Sequence, residues 1–394
     1  MAFTMSDQAS TAGKVITCKA AIAYELNSPL SFEDIHVAPP GPTEVRIQVT
    51  HAAVCQSDLY YLKGKDRNLL FPRILGHEGA GIVESVGSAI TDLKPGDKVI
   101  PVWQAECQKC PRCRSGRSSN ICDVFLEHFE SGVMRSDRTS RFSRVADGKP
   151  IFHFCCTSVF SQYTVLDEAC VAKINSSADL SKVCLLGCGV STGIGSAWNI
   201  AKVTPNSSVA VFGLGTIGLA VVEGAKIAGA SRIIGIDRLE SKFEKGKDFG
   251  LTDTLNTSTI EKPIEAHIYE MTKGGVDFSF DCTGNPDIIS AAMQCCRPDG
   301  GVAVIIGLVD SRKLVSFHPS SLLLGKSWTS GLFGGFKART QLPGLVEKCM
   351  DGVINLDHYV THTMPFSDIN KAIQLLDAGE CLRCIMDLTT ASVP

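Results

Sequence analysis

Two patterns of apolar residues follow one another along the chain. Before about residue 207, apolar residues form short strand-like runs separated by turn-forming clusters such as Ala38-Pro-Pro-Gly-Pro-Thr43. These runs are Val15 to Tyr24, Glu44 to Val54, Gly79 to Val86 and Asp97 to Val102. We therefore predict a β-rich first part with long loops, and loops are where binding sites are commonly built.

After about Ser207 the pattern changes to short β-branched runs that alternate with helix-like segments. The predicted buried strands are Ser208 to Phe212, Arg232 to Ile236, Val276 to Phe280 and Val302 to Ile306. Strand, helix and strand in this order predict a parallel sheet with right-handed crossovers. Beyond Gly334 the sequence predicts two helices and a strand, at Gln341 to Met350, Ser367 to Ala378 and Leu382 to Leu388. We expect this tail to rejoin the first domain.

Composition and charge narrow the class of protein. The chain has 394 residues, of which 44% are hydrophobic and 20% charged, and its net charge is −3. These values argue against disorder and against an electrostatic hold on nucleic acid or an anionic membrane. The first residues lack the apolar segment of a secretory signal, and the apolar stretch Val209 to Val222 is too short for a membrane span. We expect a cytoplasmic protein whose seventeen cysteines include metal ligands rather than disulfides.

The segment Gly213-Leu-Gly-Thr-Ile-Gly218 directly follows a predicted strand and opens a predicted helix. Gly213, Gly215 and Gly218 in this context form a dinucleotide-binding fingerprint, in which the helix N-terminus holds a pyrophosphate. Asp237 ends the next strand, where a carboxylate accepts hydrogen bonds from the ribose hydroxyls of NAD and repels the 2′-phosphate of NADP. Arg238 weakens the expected preference for NAD, because an arginine there could pair with a phosphate. The alternative to a dinucleotide-binding site is a glycine-rich turn beside a surface carboxylate.

Four cysteines lie within sixteen residues, at Cys107, Cys110, Cys113 and Cys122. Four thiolates at this spacing can close a tetrahedral shell with no vacancy for substrate, which is typical of a structural zinc. Unliganded cysteines and disulfides are the alternatives, and the expected reducing compartment disfavours the latter.

A second set of possible metal ligands is scattered along the chain. Cys55, His77 and Cys188 together make a Cys2His set that can hold a zinc with an open fourth position, as in catalytic sites. Taken singly, each of these residues is more often a packed core residue.

The motifs Gly76-His77-Glu78-Gly79, Cys188-Gly-Val-Ser-Thr192-Gly193, the four-cysteine segment and the glycine fingerprint together resemble the zinc-dependent medium-chain alcohol dehydrogenases. The resemblance is to the plant-type branch, which also includes a hydroxynitrile lyase. It implies an α/β protein: a GroES-like catalytic domain over residues 1–188, a Rossmann doubly wound parallel sheet over 189–333, and a return segment over 334–394 that completes the catalytic domain. It also implies two zinc ions per subunit, NAD(H) and a homodimer.

The same resemblance implies roles for individual residues. Ser57 would take the proton of the alcohol, and Asp58 would orient His77. Glu78 matches an acidic residue behind the zinc. Thr192 should line the nicotinamide side, and Arg383 matches an arginine that clamps the pyrophosphate.

Several positions depart from the family pattern. Gln56 and Tyr60 stand where relatives often have basic or imidazole groups of the cofactor site and proton relay. Leu126 stands where the glutathione-dependent branch carries a basic residue, and Trp103 projects into the expected pocket. We therefore expect a compact apolar alcohol, aldehyde or ketone as substrate. The alternative is a hydroxynitrile lyase on the same zinc scaffold, because cyanohydrin cleavage needs no proton relay through the ribose.

Overall fold

The computed structural model describes residues 11–65, 70–115, 120–317 and 319–390. The chain divides into two compact units. The first unit, called the catalytic unit below, comprises the residues up to Cys188 together with those from Lys337 onward, and the second, called the Rossmann unit, comprises Gly189–Phe336. The tail thus lies in the same unit as the first half of the chain.

The structure defines the following elements. The strands are β1 (Ile16–Ala23), β2 (Ser31–Val37), β3 (Glu44–Ala53), β4 (Arg73–Ile74), β5 (Glu78–Val86), β6 (Lys98–Pro101), β7 (Phe142–Arg144), β8 (Pro150–Ile151), β9 (Tyr163–Asp167), β10 (Val171–Lys173), β11 (Ser208–Phe212), β12 (Arg232–Asp237), β13 (Asp253–Asn256), β14 (Phe278–Asp281), β15 (Val302–Ile305), β16 (Ser327–Ser330), β17 (Val360–Pro365) and β18 (Arg383–Asp387). The α-helices are α1 (Gln56–Leu62), α2 (Pro111–Arg114), α3 (Asp123–His128), α4 (Leu180–Val183), α5 (Gly189–Gly195), α6 (Thr216–Ile227), α7 (Ser241–Phe249), α8 (Ile264–Thr272), α9 (Pro286–Gln294), α10 (Ser320–Leu323), α11 (Ala338–Met350) and α12 (Ile369–Ala378). Short 3₁₀ or π turns complete the connections.

Two sheets organise the catalytic unit. One has the strand order β4-β1-β2-β7-β8, and the other has the order β10-β6-β5-β3-β18-β17, with β9 also paired to β3. Strand β18, near the end of the chain, pairs antiparallel with β3, so that Ile385 lies opposite Ala53. Their inward residues form a continuous buried core that includes Ile35, Val45, Val83, Val165 and Met386. The last strand therefore completes the sheet that carries the candidate site.

The Rossmann unit contains a parallel sheet with the order β13-β12-β11-β14-β15-β16. Strand β11 is at its centre, and its residues Val209 to Phe212 are fully buried, as expected for a strand covered on both faces. Gly213 follows with φ of +89°, and a Cβ on Gly218 would lie 1.9 Å from the carbonyl oxygen of Gly213. Gly213 and Gly218 are thus required by the tight strand-to-helix turn, whereas a Cβ on Gly215 would meet no atom within 4 Å. In the described part of the chain, no single helix is long and apolar enough to cross a membrane, although one sharply bent pair of short helices passes that test when its two members are combined.

Candidate active site and metal centres

Four buried side chains meet inside the catalytic unit. The ligand atoms of Cys55, His77, Glu78 and Cys188 all lie within 4.8 Å of one another. Cys55 ends the connection from β3 and caps α1, while His77 immediately precedes β5 and Glu78 begins it. Cys188 follows a short 3₁₀ helix. Three separate parts of the fold thus bring together the predicted Cys2His set.

Asp58 orients this cluster through both of its carboxylate oxygens. Oδ1 lies 3.0 Å from Nδ1 of His77 and accepts the backbone N–H of Gly76 at 3.2 Å. Oδ2 accepts the backbone N–H of Cys55 at 3.0 Å. Among the described residues, none hydrogen-bonds the buried Nε2 of His77. The carboxylate fixes the imidazole so that Nε2 is left for a metal, as in many zinc sites.

The electrostatics of the cluster also suit a cation. The hydrogen bond from Cys188, together with the charges of Arg383 and His77, lowers the pKa of Cys55 well below its usual value, against the effect of burial. Burial disfavours a charged His77, yet Asp58 and Cys55 raise its pKa well above the usual value. A buried thiolate therefore attracts a positive charge to Nε2. A zinc ion bound to Cys55, His77 and Cys188 would supply that charge, and the donor set is typical of catalytic zinc.

Arg383 and Glu78 form a buried ion pair at the edge of this cluster. Nε and Nη2 of Arg383 donate to the two oxygens of Glu78 at 2.7 and 2.8 Å, and Nη2 lies 3.4 Å from Sγ of Cys55. Burial raises the pKa of Glu78 to about 8 even with the guanidinium beside it. The sequence did not predict this bidentate pair. The role of Arg383 as a pyrophosphate clamp stays a prediction.

Gln56, Ser57 and Tyr60 lie in α1 of the catalytic unit. Ser57 is half-buried, and its hydroxyl lies 3.9 Å from Sγ of Cys55. The amide of Gln56 donates to the carbonyl of Leu376, and the ring of Tyr60 packs edge-on against its neighbour Tyr61. Thr192 lies in α5 of the Rossmann unit. Its hydroxyl is buried, and no described residue hydrogen-bonds it.

The four-cysteine lobe is a second, more local candidate metal centre. The thiol sulfurs of Cys107, Cys110, Cys113 and Cys122 lie within 4.8 Å of one another. Three backbone N–H groups point at sulfurs: Cys107 to Cys122 at 3.4 Å, Cys110 to Cys107 at 3.3 Å and Cys113 to Cys110 at 3.4 Å. Such bonds stabilise thiolates, and four convergent thiolates fit a closed tetrahedral zinc shell.

Glu106, directly before this lobe, holds the start of α11. Its carboxylate accepts the backbone N–H groups of Arg339 and Thr340 at 2.8 and 2.9 Å, and the hydroxyl of Thr340 at 3.0 Å. The ammonium of Lys337 donates to the carbonyl of Cys113 at 3.1 Å. The sequence analysis missed this link, because no local signal connects an acidic residue to a helix more than two hundred positions later.

In the Rossmann unit Asp237 lies beside the glycine turn. Its Oδ2 accepts the N–H of Leu214 at 2.8 Å and lies 3.1 Å from Nζ of Lys242. Its Oδ1 accepts the N–H groups of Arg238 and Leu239. Burial opposes ionisation, but these donors and the lysine lower the pKa of Asp237. The carboxylate is therefore ionised next to the turn, as recognition of a ribose requires, whereas Arg238 is exposed.

Comparison with known proteins decides the family. Residues 41–176 match the alcohol dehydrogenase GroES-like domain, and residues 216–350 match the zinc-binding dehydrogenase domain. Alcohol dehydrogenase class-3 of Oryza sativa subsp. japonica is 54% identical over 377 residues, which cover 96% of this chain and 98% of the relative. The chain belongs to the zinc-dependent alcohol dehydrogenase family. The resemblance inferred from its motifs is thereby confirmed.

Other family members agree with this assignment. Alcohol dehydrogenase 1 of Solanum tuberosum is 48% identical over 379 residues, covering 96% of this chain and 99% of the relative. The crystal structure of benzyl alcohol dehydrogenase from Acinetobacter calcoaceticus superposes with a TM-score of 0.86 at 29% identity, covering 94% of this chain and 99% of that one. The predicted fold class, a GroES-like domain with a Rossmann sheet, is confirmed, and this family member is an enzyme of the zinc-dependent oxidoreductases.

Proposed function

We propose that this alcohol dehydrogenase family member transfers a hydride between NAD(H) and a small alcohol, aldehyde or ketone. The observation that carries the proposal is the buried cluster of Cys55, His77 and Cys188, with Nε2 of His77 left without a hydrogen-bond partner among the described residues. A second zinc in the four-cysteine lobe belongs to the proposal, so that each subunit holds one catalytic and one structural ion.

The bound groups supply the chemistry that side chains lack. A zinc ion held by Cys55, His77 and Cys188 would supply a Lewis acid for the alcohol oxygen, and bound NAD would supply a hydride acceptor. Ser57 is the residue proposed to take the hydroxyl proton, because its hydroxyl lies next to Cys55. Asp58 keeps the proton of His77 on Nδ1, and Arg383 holds the Glu78 carboxyl group through two hydrogen bonds. Asp237 would bind the ribose of NAD.

A compact apolar substrate fits the aromatic residues that follow β6. The ring of Trp103 packs against Phe125 and Phe129, with centroid distances of 6.2 and 5.9 Å. We infer that this aromatic cluster borders the substrate position and limits the space for a bulky substrate. Leu126 is 57% exposed and carries no charge to pair with an anionic substrate such as a glutathione adduct.

Cyanohydrin cleavage is the second candidate, and the residues after Cys55 favour it. The amide of Gln56 donates to the carbonyl of Leu376, and Tyr60 stands where the family resemblance leads us to expect a relay histidine. A lyase needs only removal of the cyanohydrin hydroxyl proton and departure of cyanide. The dehydrogenase is preferred because Ser57, Asp58 and the glycine fingerprint all match the family pattern, which supports hydride transfer.

We also propose a cytoplasmic homodimer joined through the Rossmann sheets. Strand β16 ends the order of that sheet, and apolar side chains near it are strongly exposed: Leu314 by 88%, Leu323 by 86% and Leu324 by 63%. Exposed apolar side chains beside an edge strand are typical of an interface. Light scattering should give the mass of a dimer, and Leu323→Glu should shift it toward the monomer.

One experiment separates the candidate activities. Purified protein is incubated with short alcohols plus NAD, with acetone cyanohydrin, and with formaldehyde plus glutathione and NAD. Reduced-nicotinamide absorbance with the alcohols alone supports the dehydrogenase. Release of cyanide without that absorbance supports the lyase, and a preference for the glutathione mixture contradicts the compact substrate.

A further inference from the structure

The peptide that precedes His77 is held at both of its polar atoms. The N–H of Gly76 donates to Oδ1 of Asp58 at 3.2 Å, the same oxygen that receives Nδ1 of His77. The carbonyl of Gly76 accepts the hydroxyl of Thr157 at 3.0 Å and the N–H of Val159 at 3.0 Å. The direction in which His77 leaves the backbone is therefore fixed from two sides.

No residue other than glycine can take the backbone conformation of Gly76 without a steric clash. Its φ is +91°, and a Cβ at this position would lie 2.5 Å from the ring of Phe160 and 2.7 Å from its backbone nitrogen. The close approach exists because residues 157–160 lie directly against the Gly76–His77 peptide. This contact gives the hydroxyl of Thr157 access to the carbonyl.

The segment Phe154–Ser158, called the buttress loop here, is itself in an unusual conformation. Cys155, Cys156 and Ser158 have φ values of 47°, 58° and 49°, which non-glycine residues rarely adopt. Ser158 stabilises the loop, because its hydroxyl accepts the N–H of Phe154 at 2.7 Å and donates to the carbonyl of Ile74 at 2.9 Å. Strained backbone of this kind persists where the surroundings over-determine it, commonly next to functional sites.

The buttress loop contacts the imidazole as well as the peptide. The ring of Phe154 packs edge-on against that of His77, with centroids 6.0 Å apart and an interplanar angle of 70°. Thr157 is fully buried, and its hydroxyl proton is shared between Gly76 and the carbonyl of Phe154 at 3.2 Å. One side chain thus ties the loop and the ligand-bearing peptide together.

We propose that Thr157 is a positioning residue of the catalytic metal centre, which holds the Gly76–His77 peptide so that Nε2 of His77 faces Cys55 and Cys188. The inference rests on the proposed zinc binding at this cluster. Val159 retains one bond to the Gly76 carbonyl, so loss of the Thr157 hydroxyl should loosen the metal site without unfolding it. Mutation of the residues that hold a metal-binding histidine commonly lowers metal affinity by about 10- to 100-fold.

The test measures the release of each zinc to the chelator 4-(2-pyridylazo)resorcinol. Thr157→Val removes the hydroxyl and keeps the shape, Thr157→Ser restores the hydroxyl, and Thr157→Ala tests a smaller side chain in case the valine does not fit. Ser279→Ala is the matched control, because the Ser279 hydroxyl is also buried and donates to a backbone carbonyl, at 2.6 Å, but in the Rossmann unit. A Cys188→Ala protein identifies which release phase belongs to the catalytic site.

Thr157→Val or Thr157→Ala should release the catalytic zinc about ten-fold faster, with the four-cysteine zinc released at the wild-type rate. Thr157→Ser should return close to wild type, and Ser279→Ala should change neither phase. Equal acceleration of both phases, or no acceleration, would overturn the proposal, because a purely structural hydroxyl would act on both metals or on neither. A wild-type protein with no zinc at the Cys55 cluster would instead contradict the proposed function.

Discussion

The two thiol clusters of this chain are built in opposite ways. The four-cysteine lobe takes its ligands from sixteen consecutive residues, and three of its thiols are only half-buried. The Cys55 cluster takes its ligands from positions 55, 77 and 188, and all of them are buried. A metal in the lobe would mainly shape a loop, whereas the Cys55 cluster is shaped by the sheet around it, and a metal there would keep a position open for substrate.

The largest effect on activity is expected from removing a ligand of the Cys55 cluster. Cys188→Ala leaves only two of the three protein ligands, which make a poor zinc site. Zinc content should fall from two ions per subunit to one, and alcohol oxidation should be lost. Cys184→Ala, which removes another buried thiol from the same segment, should keep both ions. A Cys188→Ala protein that retains two zinc ions would refute the ligand assignment.

Removing the proton acceptor should separate chemistry from metal binding. Ser57→Ala should lower turnover by roughly two to four powers of ten, the usual contribution of a general base. Both zinc ions and NAD should stay bound, as measured by metal analysis and by quenching of protein fluorescence. If the variant oxidises alcohols at nearly the wild-type rate, the proton leaves through solvent or another group.

A change in the Rossmann unit should leave both clusters intact. Asp237→Ser removes a carboxylate that would accept ribose hydroxyls, and a hydrogen bond to a charged group is worth about 1.5–3 kcal/mol. The ratio of kcat/KM for NAD over NADP should therefore fall about 10- to 100-fold. Steady-state kinetics with both cofactors measures this. A wild-type preference for NADP would show that Arg238 dominates.

The four-cysteine lobe should affect thermal stability rather than the rate of the reaction. Cys110→Ser should lose the lobe zinc and keep the catalytic zinc, because no ligand of the Cys55 cluster lies in the lobe. The initial rate should stay close to wild type, while inactivation on heating becomes faster. Activity decay at raised temperature and metal analysis test this together. Simultaneous loss of both ions would show that the two centres are not independent.

The smallest effect concerns the link from the lobe to α11. Glu106→Gln keeps the shape but removes the charge that caps Arg339 and Thr340, so the free energy of unfolding should drop by about 1 kcal/mol. Urea denaturation measures the change. Glu168→Gln, whose carboxylate pairs with an exposed lysine, should have a smaller effect. Equal effects would mean that the cap contributes little.

The contrast between local and distant residues also explains which features could be predicted from the sequence. The lobe and the glycine fingerprint are local patterns, and the structure brings the four sulfurs together and forms the strand–turn–helix as predicted. Strands β13 and β16 were missed, because Asp253–Asn256 and Ser327–Ser330 are short and largely polar. They form because the neighbouring strand has unpaired backbone groups at its edge. This tertiary context cannot be recognised in the residues of β13 and β16 themselves.

Helix α11 shows why an element's start can escape prediction. The sequence predicted Gln341 to Met350, but the helix begins at Ala338 and contains Pro343. Pro343 lacks an N–H and weakens the helix interior. Glu106 compensates at the first turn, and it comes from a distant loop. The Arg383–Glu78 pair and the contact of Thr157 with Gly76 likewise depend on the folded chain. The convergence of Cys55, His77 and Cys188 was predictable from the sequence, whereas the contacts that support it were not, and zinc binding there stays a prediction.

The pairing of Arg383 with Glu78 joins residues 305 positions apart, and this spacing matters during synthesis. A ribosome delivers Glu78 with the early strands, then the whole Rossmann unit, and only afterwards the strand that carries Arg383. Until that strand joins β3, no guanidinium from Arg383 lies beside this carboxyl group, and a buried polar group without a partner is costly. The cluster of Cys55, His77, Glu78 and Cys188 is therefore completed last, and a chain truncated before residue 383 would lack the guanidinium that lies beside it.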